Sequence, residues 1–232
     1  VAPHSVVELA MRLQQTSSDG DLGGQAEFRI DRFEHHVIVY IPGTKQWSAK
    51  AGDNPLDLTS NVHAIGSESD GSTTPAASER SVLAALRAAG VGAGDQVLLV
   101  GHSQGGIIAA NIAARHNAFQ VAGILTFGSP IAAASIDPNC RVIAIEHTND
   151  PVPTLDGGPN AIRENWITVR EHYDLKAKQN PIAVHDLAGY IETAGRLDSS
   201  KSSNAASALG FIRQFAGRYA GRTEWYSARR VG

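Results

Sequence analysis

Gln96-Val-Leu-Leu-Val100-Gly-His-Ser103-Gln-Gly-Gly106 runs from an apolar stretch into a glycine-flanked serine, and a nearly all-apolar segment from Ile107 to about Arg115 follows. The first part predicts a buried strand and the last a helix. Taken bare, Gly-x-Ser-x-Gly is a weak pattern; between a strand and a helix it acquires a physical meaning. Glycines on both sides let strand and helix approach closely at a sharp turn, which lifts the serine hydroxyl above the sheet. The helix N-terminus then points positive charge at that hydroxyl. Ser103 is the expected nucleophile.

Outward from this turn, other segments alternate in the same way. Phe28–Phe33 alternates apolar and polar residues, which suits a half-exposed strand, whereas His36–Ile41 is a continuous β-branched run suited to a buried central one. Further strands are expected at Val121–Phe127, Arg141–Glu146 and Trp166–Arg170. Ser5-Val-Val-Glu8 reads as a capping box before a helix carrying Val6, Leu9, Ala10 and Leu13. Thr74-Pro75 predicts an N-cap with proline at the first helical position, and Gly90 closes that helix. Another helix is expected from Asp186. After a polar linker at Ser199–Ser207, a last one puts Ala208, Ile212, Phe215 and Tyr219 on one face.

Strands alternating with helices predict an α/β fold, a mostly parallel central sheet with helices on both faces. The expected division is an N-terminal helix and linker over 1–26, a catalytic domain over 27–198, and a linker with a packed C-terminal helix over 199–232. From Thr44 to Pro75 the chain is rich in Gly, Ser, Asn, Asp and Pro with no sustained period, a stretch expected to be functional or mobile.

The 232 residues, 42% of them apolar, suffice for one large domain with a sizeable core. Twenty Lys and Arg against 23 Asp and Glu leave a net charge of −3, which excludes gripping a phosphate backbone as a main occupation. Cys140 is the single cysteine and has no internal partner. No apolar stretch approaches the ~18 residues of a membrane-spanning helix. The chain starts at Val1 rather than Met, so a processed chain or a larger parent is expected, and the compartment stays open. The scattered histidines lack ligand spacing such as His-Glu-x-x-His, so neither metal nor organic cofactor is expected.

A serine hydroxyl needs a base, and in this architecture the base follows the nucleophile in the chain. His4, His35, His36 and His63 precede Ser103, His102 lies inside the turn, and His116 ends the helix behind it. Of His147, His172 and His185, the last follows the polar loop Lys176–Pro181 and directly precedes a helix, which places it on the sheet's functional edge. His185 is the expected base, with His172 in reserve. A buried carboxylate must fix its tautomer. Asp150 stands just past the strand Arg141–Glu146, before a proline that stops further pairing, and Asp156 is the local competitor. Two donors must stabilise the oxyanion: the Gln104 backbone N–H and the loop after Val37–Ile41, where Gly43 allows tight geometry and Thr44 offers N–H and hydroxyl.

Ile41-Pro-Gly-Thr44, Val100-Gly-His-Ser-Gln-Gly-Gly106, Leu125-Thr-Phe-Gly-Ser-Pro130 and His147-Thr-Asn-Asp-Pro-Val-Pro153 together resemble the α/β-hydrolase superfamily, and within it the class 3 (fungal-type) lipase-like branch and its bacterial relatives. The resemblance spans roughly residues 36–190. It implies Thr44 as the oxyanion residue and Asp150 as the acid, and it implies a serine hydrolase acting on small-molecule or lipid-like carboxylic esters through an acyl-enzyme. The same constellation serves an acyltransferase or thioesterase, and a fold kept only as a binding module is the alternative of another class. Three features depart from that branch, the first being that Cys140 alone cannot form the disulfides common in its secreted members. Position 104 is Gln where those lipases carry Leu, and Ser67–Thr74 is too polar for an amphipathic lid, so dissolved esters rather than emulsified triglycerides are the expected substrates.

Overall fold

Val37, Val39 and Ile41 turn to one face of a sheet, Ile38 and Tyr40 to the other, and all five are fully buried. A strand apolar on both sides must be covered on both sides. The computed structural model describes residues 2–19, 26–43, 75–115, 117–176, 180–216 and 221–228. Within them, strands β1 (Ala26–Phe33), β2 (His36–Ile41), β3 (Gln96–His102), β4 (Gln120–Phe127), β5 (Arg141–His147), β6 (Trp166–Glu171) and β7 (Arg222–Ala228) form a seven-stranded sheet in the order β6-β5-β4-β3-β2-β1-β7. From β2 to β6 all neighbours are parallel; β1 and β7 add antiparallel at one side. This is the expected α/β architecture.

Helices α2 (Ala77–Ala88) and α3 (Gln104–Ala113) cover one face through Val82, Leu86, Ile108 and Ile112. Helices α1 (Val6–Asp19), α4 (Leu187–Ser199) and α5 (Ser203–Ala216) cover the other through Leu9, Leu13, Tyr190, Leu197 and Ile212. At the start of α1, Ser5 Oγ accepts from the Glu8 amide at 3.2 Å, and the Asp198 carboxylate of α4 accepts from the Val6 and Val7 amides at 3.0 and 2.8 Å. The first turn of α1 is thus capped from a helix nearly the whole chain away. Gly90 (φ 72°) closes α2 as expected, with its N–H on the Arg87 carbonyl and the Val91 N–H on Leu86. Among the described residues no helix is long and apolar enough to cross a membrane.

Several expected boundaries move. Helix α2 starts at Ala77 behind an Ala76 cap, so Pro75 is not its first residue; Thr74 lies outside the described residues. Helix α3 starts at Gln104, not Ile107, so Gly105 and Gly106 fall in its first turn. The expected linker Ser199–Ser207 shrinks to a short break, because Ser203 already belongs to α5. A short 3-10 turn, Pro181–His185, precedes α4, which has Asp186 as its N-cap. Ala208, Ile212 and Phe215 are buried as the period predicts, while Tyr219 lies outside the described residues.

Strand β7 is absent from the sequence reading. It pairs with β1 from Ala26↔Ala228 to Arg32↔Arg222, which carries the sheet past the expected boundary at residue 198. Buried Asp31 of β1 fastens this edge. It accepts hydrogen bonds from Arg12 of α1 (2.6 Å), Arg29 (2.9 and 3.1 Å), Tyr40 of β2 (3.2 Å) and Thr223 of β7 (2.7 Å). Burial alone would raise its pKa, but these donors outweigh it and hold Asp31 below its ordinary value.

Candidate active site

Ser103 occupies φ 53°, ψ −121°, a backbone region that L residues rarely adopt. Such a conformation costs on the order of 1–3 kcal/mol and persists only where its surroundings fix it. Here the Ser103 N–H donates to the Phe127 carbonyl and the Ser103 carbonyl accepts from the Gly106 N–H, both at 3.0 Å. The flanking glycines are needed for space. A Cβ on Gly101 would stand 2.3 Å from the Gly105 carbonyl carbon, and one on Gly105 would stand 2.0 Å from the Ile41 carbonyl oxygen. Strands β2 and β3 and helix α3 therefore meet through bare backbone, with Ser103 at the carboxyl edge of the sheet.

The turn Pro181–His185 brings His185 to this edge, and the loop after β5 brings Asp150. His185 Nε2 lies 2.9 Å from Ser103 Oγ, and His185 Nδ1 lies 2.7 Å from Asp150 Oδ2. An ionised carboxylate only accepts, so Nδ1 carries the proton and Nε2 is left to accept from the serine hydroxyl. The Asp150 side chain is wholly removed from solvent, and His185 keeps 13% of its side chain exposed. Burial disfavours the charge on Asp150, yet hydrogen bonds from His185, Tyr190 and the Val152 amide outweigh it and lower its pKa.

A sequence model of the alpha/beta hydrolase family matches residues 38–229. The chain belongs to the alpha/beta hydrolase family. No curated protein and no solved structure matches it.

In this alpha/beta hydrolase two side chains outside the expected set, His102 and Tyr190, support the Ser103–His185–Asp150 line. His102 Nε2 lies 2.8 Å from the His185 carbonyl, and its ring centroid is 5.0 Å from that of His185. Loss of solvent, reinforced by the neighbouring His185, pushes its pKa down to about 4, so the ring is neutral at pH 7. Tyr190 of α4 reaches Asp150 Oδ2 with its hydroxyl at 2.7 Å. Its ring stacks on buried His147, centroids 3.9 Å apart and planes 1° from parallel, with Tyr173 on the other side of His147 at 4.9 Å. Gly128 (φ 60°) makes room for this packing, since a Cβ there would meet the Tyr190 ring at 2.8 Å. Tyr190 was hidden in an apolar helical pattern, and the only hint in the sequence was its place five residues after His185.

The other candidates go elsewhere. Exposed His172 faces Thr148 at 3.4 Å and Asp174 at 3.8 Å. His147 places its two ring nitrogens 2.7 Å from the Val184 carbonyl and 2.9 Å from the Thr193 hydroxyl, as a buried structural group. Asp156 accepts from the Ala132 and Ala133 amides, tying the loop after β5 to the loop after β4. Gln104 opens α3 directly behind Ser103. Thr44, His63 and His116 lie outside the described residues, but Gly43 is in view: a Cβ on it would stand 3.3 Å from Ser103 Cβ. Among the described residues no three His, Cys, Asp or Glu side chains gather to hold a metal ion.

Proposed function

We propose that this alpha/beta hydrolase is a serine hydrolase of carboxylic esters that works through an acyl-enzyme. The observation that carries the reading is the unbroken line of hydrogen bonds Ser103 Oγ to His185 Nε2 and His185 Nδ1 to Asp150, on a strained turn at the sheet's carboxyl edge. Ser103 Oγ attacks the ester carbonyl carbon while His185 Nε2 takes the hydroxyl proton. Asp150 holds the proton on Nδ1 and stabilises the imidazolium. The tetrahedral oxyanion is met by the Gln104 amide, at the positive end of α3, and by Thr44. The closeness of Gly43 to Ser103 supports Thr44 in that role. His185 then returns the proton to the departing alcohol, and water attacks the acyl-enzyme by the same route.

The class 3 lipase-like motifs support an ester substrate, and the polar sequence Ser67–Thr74 favours a dissolved one. The test is the rate against concentration of short- and medium-chain esters through their solubility limit. A smooth saturating curve is expected. A sharp rise above the limit contradicts the dissolved-substrate reading, and no turnover of any ester by folded protein contradicts the function.

A further inference from the structure

We propose that Tyr190 is a positioning residue for the reaction, its hydroxyl supplying Asp150 Oδ2 with a second hydrogen bond beside the one from His185. This rests on the serine-hydrolase reading of the same site. A tyrosine hydroxyl can donate or accept, and distances alone leave its proton unassigned. Here the neighbours assign it. The His147 backbone N–H can only donate, and it points at Tyr190 Oη from 3.3 Å. The Asp150 carboxylate can only accept, and it stands 2.7 Å away on the other side. The Tyr190 proton therefore lies toward Asp150, and the amide behind it polarises the hydroxyl into a stronger donor.

The ring has no freedom to take this bond away. Tyr190 is fully buried, clamped between His147 and Phe127, with Gly128 against its edge. Asp150 Oδ2 thus sits between two fixed donors, His185 Nδ1 and Tyr190 Oη, while Oδ1 takes the Val152 amide at 3.0 Å. Every donor favours the ionised acid. An ionised Asp150 leaves the His185 proton on Nδ1 and the Nε2 lone pair aimed at Ser103. The titratable groups facing this pair are His185 from the Pro181–His185 turn, His147 and Glu146 from β5, and His102 from β3.

Tyr190→Phe keeps the ring and its stacking and removes only the hydroxyl. Losing one bond to a buried carboxylate is expected to lower kcat about tenfold with KM within about twofold. A purely packing role leaves kcat unchanged, and that result overturns the proposal while wild-type turnover upholds the reading beneath it. Wild-type protein that neither hydrolyses esters nor labels at Ser103 overturns both. Should the variant fail to fold, proton NMR of the wild type decides. A slowly exchanging Tyr190 hydroxyl proton with a cross-peak to His185 Nδ1–H is expected, and its absence while the Nδ1–H is seen contradicts the assignment.

Discussion

The Nε2–H of His102 donates to the backbone carbonyl of His185 at 2.8 Å, so the residue just before the serine holds the turn that presents the histidine. A carbonyl only accepts, which fixes the proton of His102 on Nε2. The end of strand β3 therefore leads directly into Ser103 and also fastens the segment carrying its partner. This hydrogen bond adds to the Asp150 contact in holding His185 beside the serine.

His102 also makes stability depend on pH. Its pKa falls from 6.5 to about 4 on folding, so between those values the unfolded chain binds a proton there and the folded chain does not. Stability must then fall as pH falls through that window, by up to about 1.4 kcal/mol per pH unit for one proton. His147, lowered by burial as well, adds in the same direction. His102→Gln keeps an N–H donor of similar reach and removes the titration. Urea unfolding at pH 7, 6, 5 and 4 is expected to show a shallower loss in the variant; equal slopes contradict it.

Ser103 sits at φ 53°, where glycine is at ease and a Cβ is strained. Ser103→Ala keeps the Cβ and Ser103→Gly loses it. Both variants lack the proposed nucleophile, but the glycine variant should be the more stable by about 1 kcal/mol, or ~2–4 °C in Tm for a domain of this size. A glycine variant no more stable than the alanine one contradicts strain at the turn.

The removal of Asp31 from its buried cluster tests how the two chain ends are held. Asp31→Asn leaves the Arg12 and Arg29 guanidinium groups without their anion, and uncovering a buried charge costs about 3–5 kcal/mol. The native Asp31 pKa lies below its ordinary value of 3.8, so its contribution is present above that pH and fades as pH falls through the folded value. Thermal melts should show a gap of roughly 10 °C near neutral pH, narrowing in acid. A gap that does not narrow places the loss in packing rather than charge.

The sheet and its elbow were legible because their signals are local. The β-branched run His36–Ile41 and the strand before Ser103 need burial on both faces, and chain order together with loop placement points to Asp150 and His185. Strand β7 was not legible. Arg222-Thr-Glu-Trp-Tyr-Ser-Ala228 is largely exposed, so no apolar alternation marks it, and what makes it a strand is the backbone ladder to β1. The start of α3 was misplaced because Gly105 and Gly106 are poor helix formers, kept there by the backbone of Ile41 and the hydroxyl of Ser129. Tyr190 and His102 were missed for one reason: their partners, Asp150 and the His185 carbonyl, are brought near only by the complete fold.

The most direct measurement of the proposed chemistry is covalent labelling of the purified protein by a fluorophosphonate, read by intact mass and peptide sequencing. Its phosphorus is attacked by an activated serine, so labelling reports nucleophile, base and acid working together whatever the natural substrate. The expected result is one label per chain on Ser103, lost in Ser103→Ala and His185→Ala and retained in His172→Ala. Folded protein that takes no label, or takes it at another serine, contradicts the account.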